Sequence, residues 1–195
     1  ISNKDKIVIY DNSDLISSCR CWYSFLYFGH NSSLVSVLNG GLKKWKQEGK
    51  PVVNTITKIY KTNYSAIENK DMVKSKTDID KNISLKKFKL IDARSRERFQ
   101  GKVSEPRLNV RSGSIEGSSC LPFDELINKK NNTFKDSKDL NLIFKKIINT
   151  QDNNVVFSCG SGVTASVLAL AYSLINNKYK PAIYDGSWSE YGLII

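Results

Sequence analysis

The sequence predicts an α/β fold in which a doubly wound parallel sheet occurs twice, with the first copy truncated at its N-terminus. Short apolar strand patterns alternate with helical patterns along the chain, which is typical of a parallel sheet covered by helices. Two pairs of segments resemble each other at a separation of about 147 residues, which indicates an internal duplication. In the second copy, a strand runs into a cysteine, two glycines and a helix.

The first copy is predicted over residues 1–51 as a β-α-β-α unit. Its strands are predicted at 7–10 and 34–38, and its helices at 21–28 and 42–48. Gly29 and Gly49 follow the two helices, where glycine commonly ends a helix. Because this unit corresponds only to the later half of the second copy, we expect further sequence before residue 1.

The second copy is predicted as a complete catalytic domain over residues 85–195. Residues 52–84 are polar with weak periodicity, so we interpret them as a linker that contains one short helix. The predicted strands of the second copy are 88–92, 155–157 and 182–184, and its predicted helices are 95–99, 140–148 and 163–175.

The repeat places a cysteine in one copy opposite an aspartate in the other. Residues 6–11 match residues 154–159, and residues 38–42 match residues 184–188. In this alignment Asp11 stands at the position of Cys159. The sequence therefore predicts one catalytic copy and one silent copy.

The composition is that of a globular protein. Of the 195 residues, 40% are hydrophobic and 25% are charged, which excludes wholesale disorder. The longest apolar run has about eleven residues, too few for a membrane helix. The net charge is +11, but the excess is mostly scattered lysine. It therefore favours a solvated basic surface over a nucleic-acid groove, and we expect no membrane or nucleic-acid partner.

The cysteines do not indicate a metal site or a disulfide scaffold. Cys19, Cys21, Cys120 and Cys159, with the single histidine His30, lack the paired spacing of zinc ligands. So few cysteines without a secretory signal predict a reducing compartment. We therefore expect no metal and no organic cofactor, in a cytoplasmic protein with the mitochondrion as the alternative.

The Cys159 loop has the residue types of a nucleophile held at a helix N-terminus. Gly160 and Gly162 let the backbone curl so that successive N–H groups face an anion, which the helix dipole also stabilises. A thiolate in such a loop is a nucleophile, and the same N–H groups suit a terminal persulfide. The alternative is a small buried cysteine at a tight turn, which the two glycines make the weaker interpretation.

The loop lacks the arginine of a cysteine phosphatase. That chemistry needs an arginine after five intervening residues, because its guanidinium grips the phosphate. Here the position is Ala165, and residues 159–177 contain no basic residue. Sulfur transfer does not need that arginine.

The loop sequence Cys-Gly-Ser-Gly-Val-Thr-Ala at 159–165 resembles the active-site loop of the tandem-domain rhodanese family. It is most similar to the 3-mercaptopyruvate sulfurtransferase branch, since the thiosulfate branch typically has basic residues after the cysteine. Further stretches that are similar to motifs of the family are 38–42, 91–95, 98–99, 105–107 and 185–192. The resemblance implies a rhodanese-like doubly wound parallel sheet and sulfurtransferase activity, with thiosulfate as the second choice of donor.

The resemblance also implies roles by position. Cys159 is implied as the nucleophile that carries the persulfide, and Ser161 as a hydroxyl that handles a proton. Arg98 and Arg107 are implied to hold the substrate carboxylate, to which a planar guanidinium is well matched. The loop residues implied in substrate binding are Gly160, Gly162, Val163 and Thr164.

The implied partners are small molecules and a thiol. The donor would be 3-mercaptopyruvate or thiosulfate, and the acceptor cyanide or a thiol such as thioredoxin. The alternative from a different class is a non-catalytic or sulfur-relay rhodanese module in tRNA thiolation.

Overall fold

A computed structural model describes residues 1–13, 15–149 and 154–194. Asp14, and residues 150–153 and 195 of the predicted catalytic domain, lie outside the described residues. The described strands are β1 (Ile7–Ile9), β2 (Val35–Val37), β3 (Val73–Lys74), β4 (Lys89–Asp92), β5 (Ser119–Cys120), β6 (Ile127–Asn128), β7 (Thr133–Phe134), β8 (Val155–Ser158) and β9 (Ile183–Tyr184). The described helices are α1 (Ile16–Tyr27), α2 (Gly41–Gln47), α3 (Lys76–Leu85), α4 (Arg96–Phe99), α5 (Ser137–Lys145), α6 (Ala165–Ser173) and α7 (Ser187–Tyr191).

The strands form two parallel sheets and a small antiparallel ribbon among the described residues. β1 pairs with β2 in the first unit, and the second unit has the order β3-β9-β8-β4-β5. β4 and β8 pair along their whole length, from Lys89 opposite Val155 to Asp92 opposite Ser158. Both strands therefore end at the same edge of the sheet, where open α/β sheets place their ligands.

The first unit has the predicted β-α-β-α order, but its first helix begins earlier than predicted. The aromatic run predicted a helix from residue 21, whereas α1 begins at Ile16. The Asp11 carboxylate accepts hydrogen bonds from the backbone N–H groups of Ser13 and Ser18, at 3.1 and 2.6 Å. These bonds satisfy donors at the helix start, so the polar residues before the aromatic run can join the helix.

The predicted linker contains regular structure at its C-terminal end. Residues 50–69 have no helix or strand, as expected from their polar composition. α3 agrees with the one short helix expected there and ends at Leu85, but β3 was not predicted, and it pairs with β9. The second sheet thus begins before residue 85, because β3 is its edge strand. A Ser75–Asp78 capping box starts α3, although its hydrophobic periodicity is weak. The predicted domain boundaries otherwise stay a prediction.

The duplication appears in equivalent backbone contacts of the two units. In the first unit, the N–H of Leu42 donates to the carbonyl of Asp11 at 2.9 Å. In the second, the N–H of Trp188 donates to the carbonyl of Cys159 at 2.9 Å. The predicted alignment of Asp11 with Cys159 therefore corresponds to the same position in both units.

Helix α6 connects the cores of the two units. It is apolar around most of its circumference, and Ala165, Val167, Leu168 and Ala169 have no exposed surface. A helix of this kind must be covered on more than one side. The second sheet covers it together with α1, and one hydrophobic cluster contains residues of both units, including Cys19 and Trp22 of α1. Across the described residues, no helix has the length and apolar character needed to cross a bilayer.

Candidate active site

The candidate nucleophile lies where β8 meets α6. Cys159 follows the last residue of β8 and is 2% exposed. The backbone N–H of Ser161 points to its sulfur, with a nitrogen-to-Sγ distance of 3.4 Å. Over the described parts of the chain, the N–H groups of Gly160, Val163 and Thr164 have no hydrogen-bond acceptor. The loop therefore keeps several donors free for an anionic group bound beside the sulfur.

Gly162 cannot be replaced without moving the loop. Its φ angle is +74°, in the left-handed region that favours glycine. A Cβ atom there would stand 2.5 Å from Asp185 Oδ1 and 3.0 Å from Arg20 Nη1. The predicted need for glycine therefore has two causes, the backbone conformation and the close approach of an ion pair.

Ser187 supports this loop, a role that was not predicted from the sequence. Its Oγ accepts hydrogen bonds from the N–H groups of Cys159 and Gly162, both at 3.0 Å. The same hydroxyl donates to the Tyr184 carbonyl at 2.7 Å. The Oγ also lies 4.0 Å from the Cys159 sulfur. Ser187 falls inside the 185–192 motif, so that motif was the available signal.

The segment that follows β9 lies along the loop. Besides the bond from Trp188 to Cys159, the N–H of Ser189 donates to the carbonyl of Gly160 at 2.9 Å. The guanidinium carbons of Arg94 and Arg111 stand 4.7 and 4.5 Å from the centroid of the Trp188 ring. Trp188 is therefore fixed by cation–π contacts as well as by burial.

The structure brings Arg98 and Arg107 together at Gly160. A Cβ atom on Gly160 would stand 3.1 Å from Arg98 Nη2 and 3.5 Å from Arg107 Nη1. Arg107 is exposed, and no side-chain hydrogen bond or ion pair involves it within the described ranges. Two positive charges thus border the loop of Cys159, and the absence of a side chain at Gly160 leaves them access to it.

Arg98 is oriented by a buried network of charges. Glu105, whose side chain is 2% exposed, accepts hydrogen bonds from Arg98 Nη2 at 2.5 Å and from Arg94 Nη1 at 2.8 Å. Arg94 also binds Asp92, at 2.7 Å from Nη2 to Oδ2. Burial alone would raise the pKa of Glu105, but Arg98 and Arg94 outweigh it and hold the pKa below its ordinary value.

The remaining predicted loop residues are partly accessible to solvent. Ser161, Val163 and Thr164 are half-buried. No hydrogen bond involves the Ser161 hydroxyl in the part of the chain that the structure describes, so it is free to contact a bound molecule. The roles of these residues stay predictions.

Cys19, Cys120 and His30 make packing or hydrogen-bond contacts with other parts of the chain. The Cys120 thiol donates to the Arg94 carbonyl at 3.5 Å, and burial raises its pKa to about 11. Cys19 is buried in the core that the two units share. His30 packs against Phe25 in the first unit.

Comparison with known proteins assigns the family. Residues 1–48 and 75–193 match the family model described as a rhodanese-like domain. The chain belongs to the rhodanese family. The match covers both units, which confirms the predicted family and the predicted fold class. The residues between the two matched segments of this rhodanese, 49–74, lie mostly within the predicted linker.

Two curated relatives are similar over almost the whole rhodanese chain. Thiosulfate/3-mercaptopyruvate sulfurtransferase 1, mitochondrial, from Arabidopsis thaliana is 34% identical over 98% of this chain and 55% of its own length. Thiosulfate sulfurtransferase from Mus musculus is 37% identical over 98% of this chain and 64% of its own length. The chain thus spans less than two thirds of these relatives.

A solved structure shows the same fold. The crystal structure of SseA from Escherichia coli, described as a 3-mercaptopyruvate sulfotransferase, has a TM-score of 0.81 and 30% sequence identity. The similarity covers 97% of this rhodanese chain and 69% of SseA.

Replacing Ser187 by alanine is expected to destabilise the Cys159 loop. The change removes the acceptor of two N–H groups, and a buried donor without a partner costs about 1–3 kcal/mol. Urea unfolding measures the loss. Ser189→Ala is the matched control, because the half-buried Ser189 hydroxyl donates to the Gly186 carbonyl and accepts from no backbone N–H group among the described residues. Equal losses in the two variants would contradict the role of Ser187.

Because of Glu105, the free energy of unfolding of this rhodanese is expected to be smaller at acidic pH than at neutral pH. Its pKa is lowered by folding, so its contribution is present above the unfolded-state pKa and disappears as the pH falls below about 4. The free energy of unfolding, measured by urea titration at a series of pH values, should therefore decrease as the pH is lowered from neutral. Glu105→Gln should be less stable at neutral pH, and its free energy of unfolding should decrease less on acidification. If this free energy depended on pH as steeply in the variant as in the wild type, the role of Glu105 would be refuted.

Proposed function

We propose that this protein is a sulfurtransferase that takes the thiol sulfur of 3-mercaptopyruvate and passes it as sulfane sulfur to a thiol or cyanide through a persulfide on Cys159. The observation that carries the proposal is the convergence on one loop of the Cys159 sulfur, free backbone N–H groups and the guanidinium groups of Arg98 and Arg107. A cysteine nucleophile beside a site for an anion suits a donor that carries both a thiol and a carboxylate.

The first step transfers sulfur from the donor to the enzyme. The Cys159 thiolate attacks the donor sulfur, the donor's carbon–sulfur bond breaks, and its electron pair goes to the carbon. The proton of the donor thiol is transferred to that carbon, which gives pyruvate. Ser161 is half-buried, and its hydroxyl has no hydrogen bond to the described residues. We assign it to this proton transfer.

The product of that step is the Cys159 persulfide. Its terminal sulfur is anionic, and the unpaired N–H groups of Gly160, Val163 and Thr164 are the donors that stabilise it. In the second step an acceptor thiolate attacks this terminal sulfur, the sulfur–sulfur bond breaks and Cys159 leaves as the thiolate. Neither step requires a metal or an organic cofactor.

Arg98 and Arg107 bind the donor carboxylate in this mechanism. Glu105 fixes Arg98 in place, whereas Arg107 is exposed and adjusts to the donor. A pair of one fixed and one adjustable guanidinium suits a small planar carboxylate.

Thiosulfate is the second candidate donor, because the relative from Mus musculus is named a thiosulfate sulfurtransferase. Against it, the Cys159 loop has no basic residue of its own. Sulfur relay to tRNA stays the alternative from another class, and salt-sensitive RNA binding without turnover would favour it. We expect an acceptor thiol such as that of thioredoxin, in the cytoplasm or the mitochondrion.

Replacing Cys159 by serine is expected to abolish turnover, because the hydroxyl cannot form the persulfide. Incubation with 3-mercaptopyruvate followed by peptide mass spectrometry should show one added sulfur atom on the Cys159 peptide of the wild type and none in the variant. Cys21→Ser, at an exposed cysteine to which the mechanism gives no role, is the control and should retain activity. Full activity of Cys159→Ser would refute the mechanism.

Replacing Arg98 by alanine is expected to raise KM for the preferred donor by about 10- to 100-fold, the usual effect of losing a charge-assisted hydrogen bond. Steady-state kinetics with 3-mercaptopyruvate and with thiosulfate measures the change in KM, and the preferred donor should show the larger loss. Arg96→Ala is the control, because Arg96 forms a surface ion pair with Glu125. Equal effects on both donors would argue against carboxylate recognition by Arg98.

A further inference from the structure

We propose that Arg20, a residue of the silent first unit, is a positioning residue for the Cys159 loop of the second unit. This inference rests on the proposed function, since the loop is the one assigned to sulfur transfer. It gives the first unit a part in catalysis although Asp11 occupies the position of the nucleophile there.

Arg20 reaches the loop from helix α1. Its Nη1 atom lies 2.5 Å from Asp185 Oδ1 and 3.3 Å from the carbonyl oxygen of Gly162. Gly162 belongs to the Cys159 loop, and Asp185 begins the segment that lies along that loop. A single guanidinium therefore connects three parts of the chain at the candidate active site.

With these contacts, both the N–H and the carbonyl group of Gly162 have hydrogen-bond partners. The N–H of Gly162 donates to Ser187, and its carbonyl accepts from Arg20 and, at 3.2 Å, from the Ser166 hydroxyl. A Cβ atom on Gly162 would collide with Asp185 and Arg20, so the ion pair is packed directly on this residue. Without Arg20, the left-handed conformation of Gly162 loses a neighbour that holds it.

Arg20 is itself held by buried neighbours. The preceding residue, Cys19, has no exposed surface, and Trp22 is 6% exposed in the core that α1 shares with α6. The first unit therefore presents the guanidinium from a rigid helix. Rigid supports of this kind are what keep reacting groups in a productive geometry.

The ion pair itself is too exposed to be important for stability. The Arg20 and Asp185 side chains are 34% and 44% exposed, and ion pairs at such positions contribute little to folding. A small displacement of a reacting group, in contrast, can reduce a rate by about 100-fold. A positioning role is thus distinguishable from a structural one, because the rate changes while stability does not.

The test compares Arg20→Gln, Asp185→Asn and the double variant in the full chain. With 3-mercaptopyruvate as donor, we expect kcat of Arg20→Gln to fall by about 10- to 100-fold with little change in KM, since Arg20 orients the loop and leaves donor binding to other residues. The losses in the single variants should not add in the double variant, because both disrupt one contact. Urea midpoints should stay close to that of the wild type. Arg96→Gln removes an arginine ion pair of similar exposure and is expected to change none of these values.

Hydrogen exchange supplies a measurement that does not depend on turnover. In Arg20→Gln, the amides of the peptide that contains Cys159 and Gly162 should exchange faster, while the amides of β4 keep the wild-type rate. If the wild type showed no sulfur transfer, the proposed function would fail and the exchange measurement would still decide the positioning role. Wild-type kcat together with wild-type exchange in Arg20→Gln would overturn the inference, as would exchange that accelerates equally throughout the chain.

Discussion

The burial of helix α6 is the constraint on which the rest of this structure depends. Its residues from Ala165 to Ala171 are apolar or small and almost entirely buried, so one sheet cannot cover them. The five-stranded sheet covers one side and α1 of the first unit covers another. Because α6 begins directly after the Cys159 loop, the packing that buries this helix also fixes the loop against both units.

The second determinant is the chain of buried charges beside the loop. Arg94 is almost inaccessible to solvent and lies between Asp92 and Glu105. Charges that are buried in this way persist only when each has a partner. Glu105 has a further oxygen available for Arg98, so the network that satisfies Arg94 also orients a guanidinium at Gly160. The same buried ion pairs therefore stabilise the fold around Arg94 and position Arg98 in the candidate anion site.

Some features were predictable because their signals are local. The strand that precedes Cys159, the glycines at 160 and 162 and the repeat around Asp11 depend on residues close in sequence or on direct comparison of two segments. For Ser187 the local signal was only its place in the 185–192 motif, which did not indicate its contacts. A serine in a polar motif is ordinary in sequence, and its hydroxyl reaches the N–H groups of Cys159 and Gly162 only after β8 and β9 have paired. The early start of α1 also escaped prediction, because a side chain from the preceding turn caps it.

The sequence by itself determined the family, the α/β class, the duplication and the identity of the candidate nucleophile, since periodicity and a glycine-rich loop are properties of short stretches. Tertiary structure decided which charges act together. Arg94, Arg96 and Arg98 look alike in one charged run, yet one is buried, one forms a surface ion pair and one reaches Gly160. Only tertiary structure brought Arg20 to Gly162, because the contact joins residues far apart in sequence, and burial and long-range contacts arise when the helices and sheets pack.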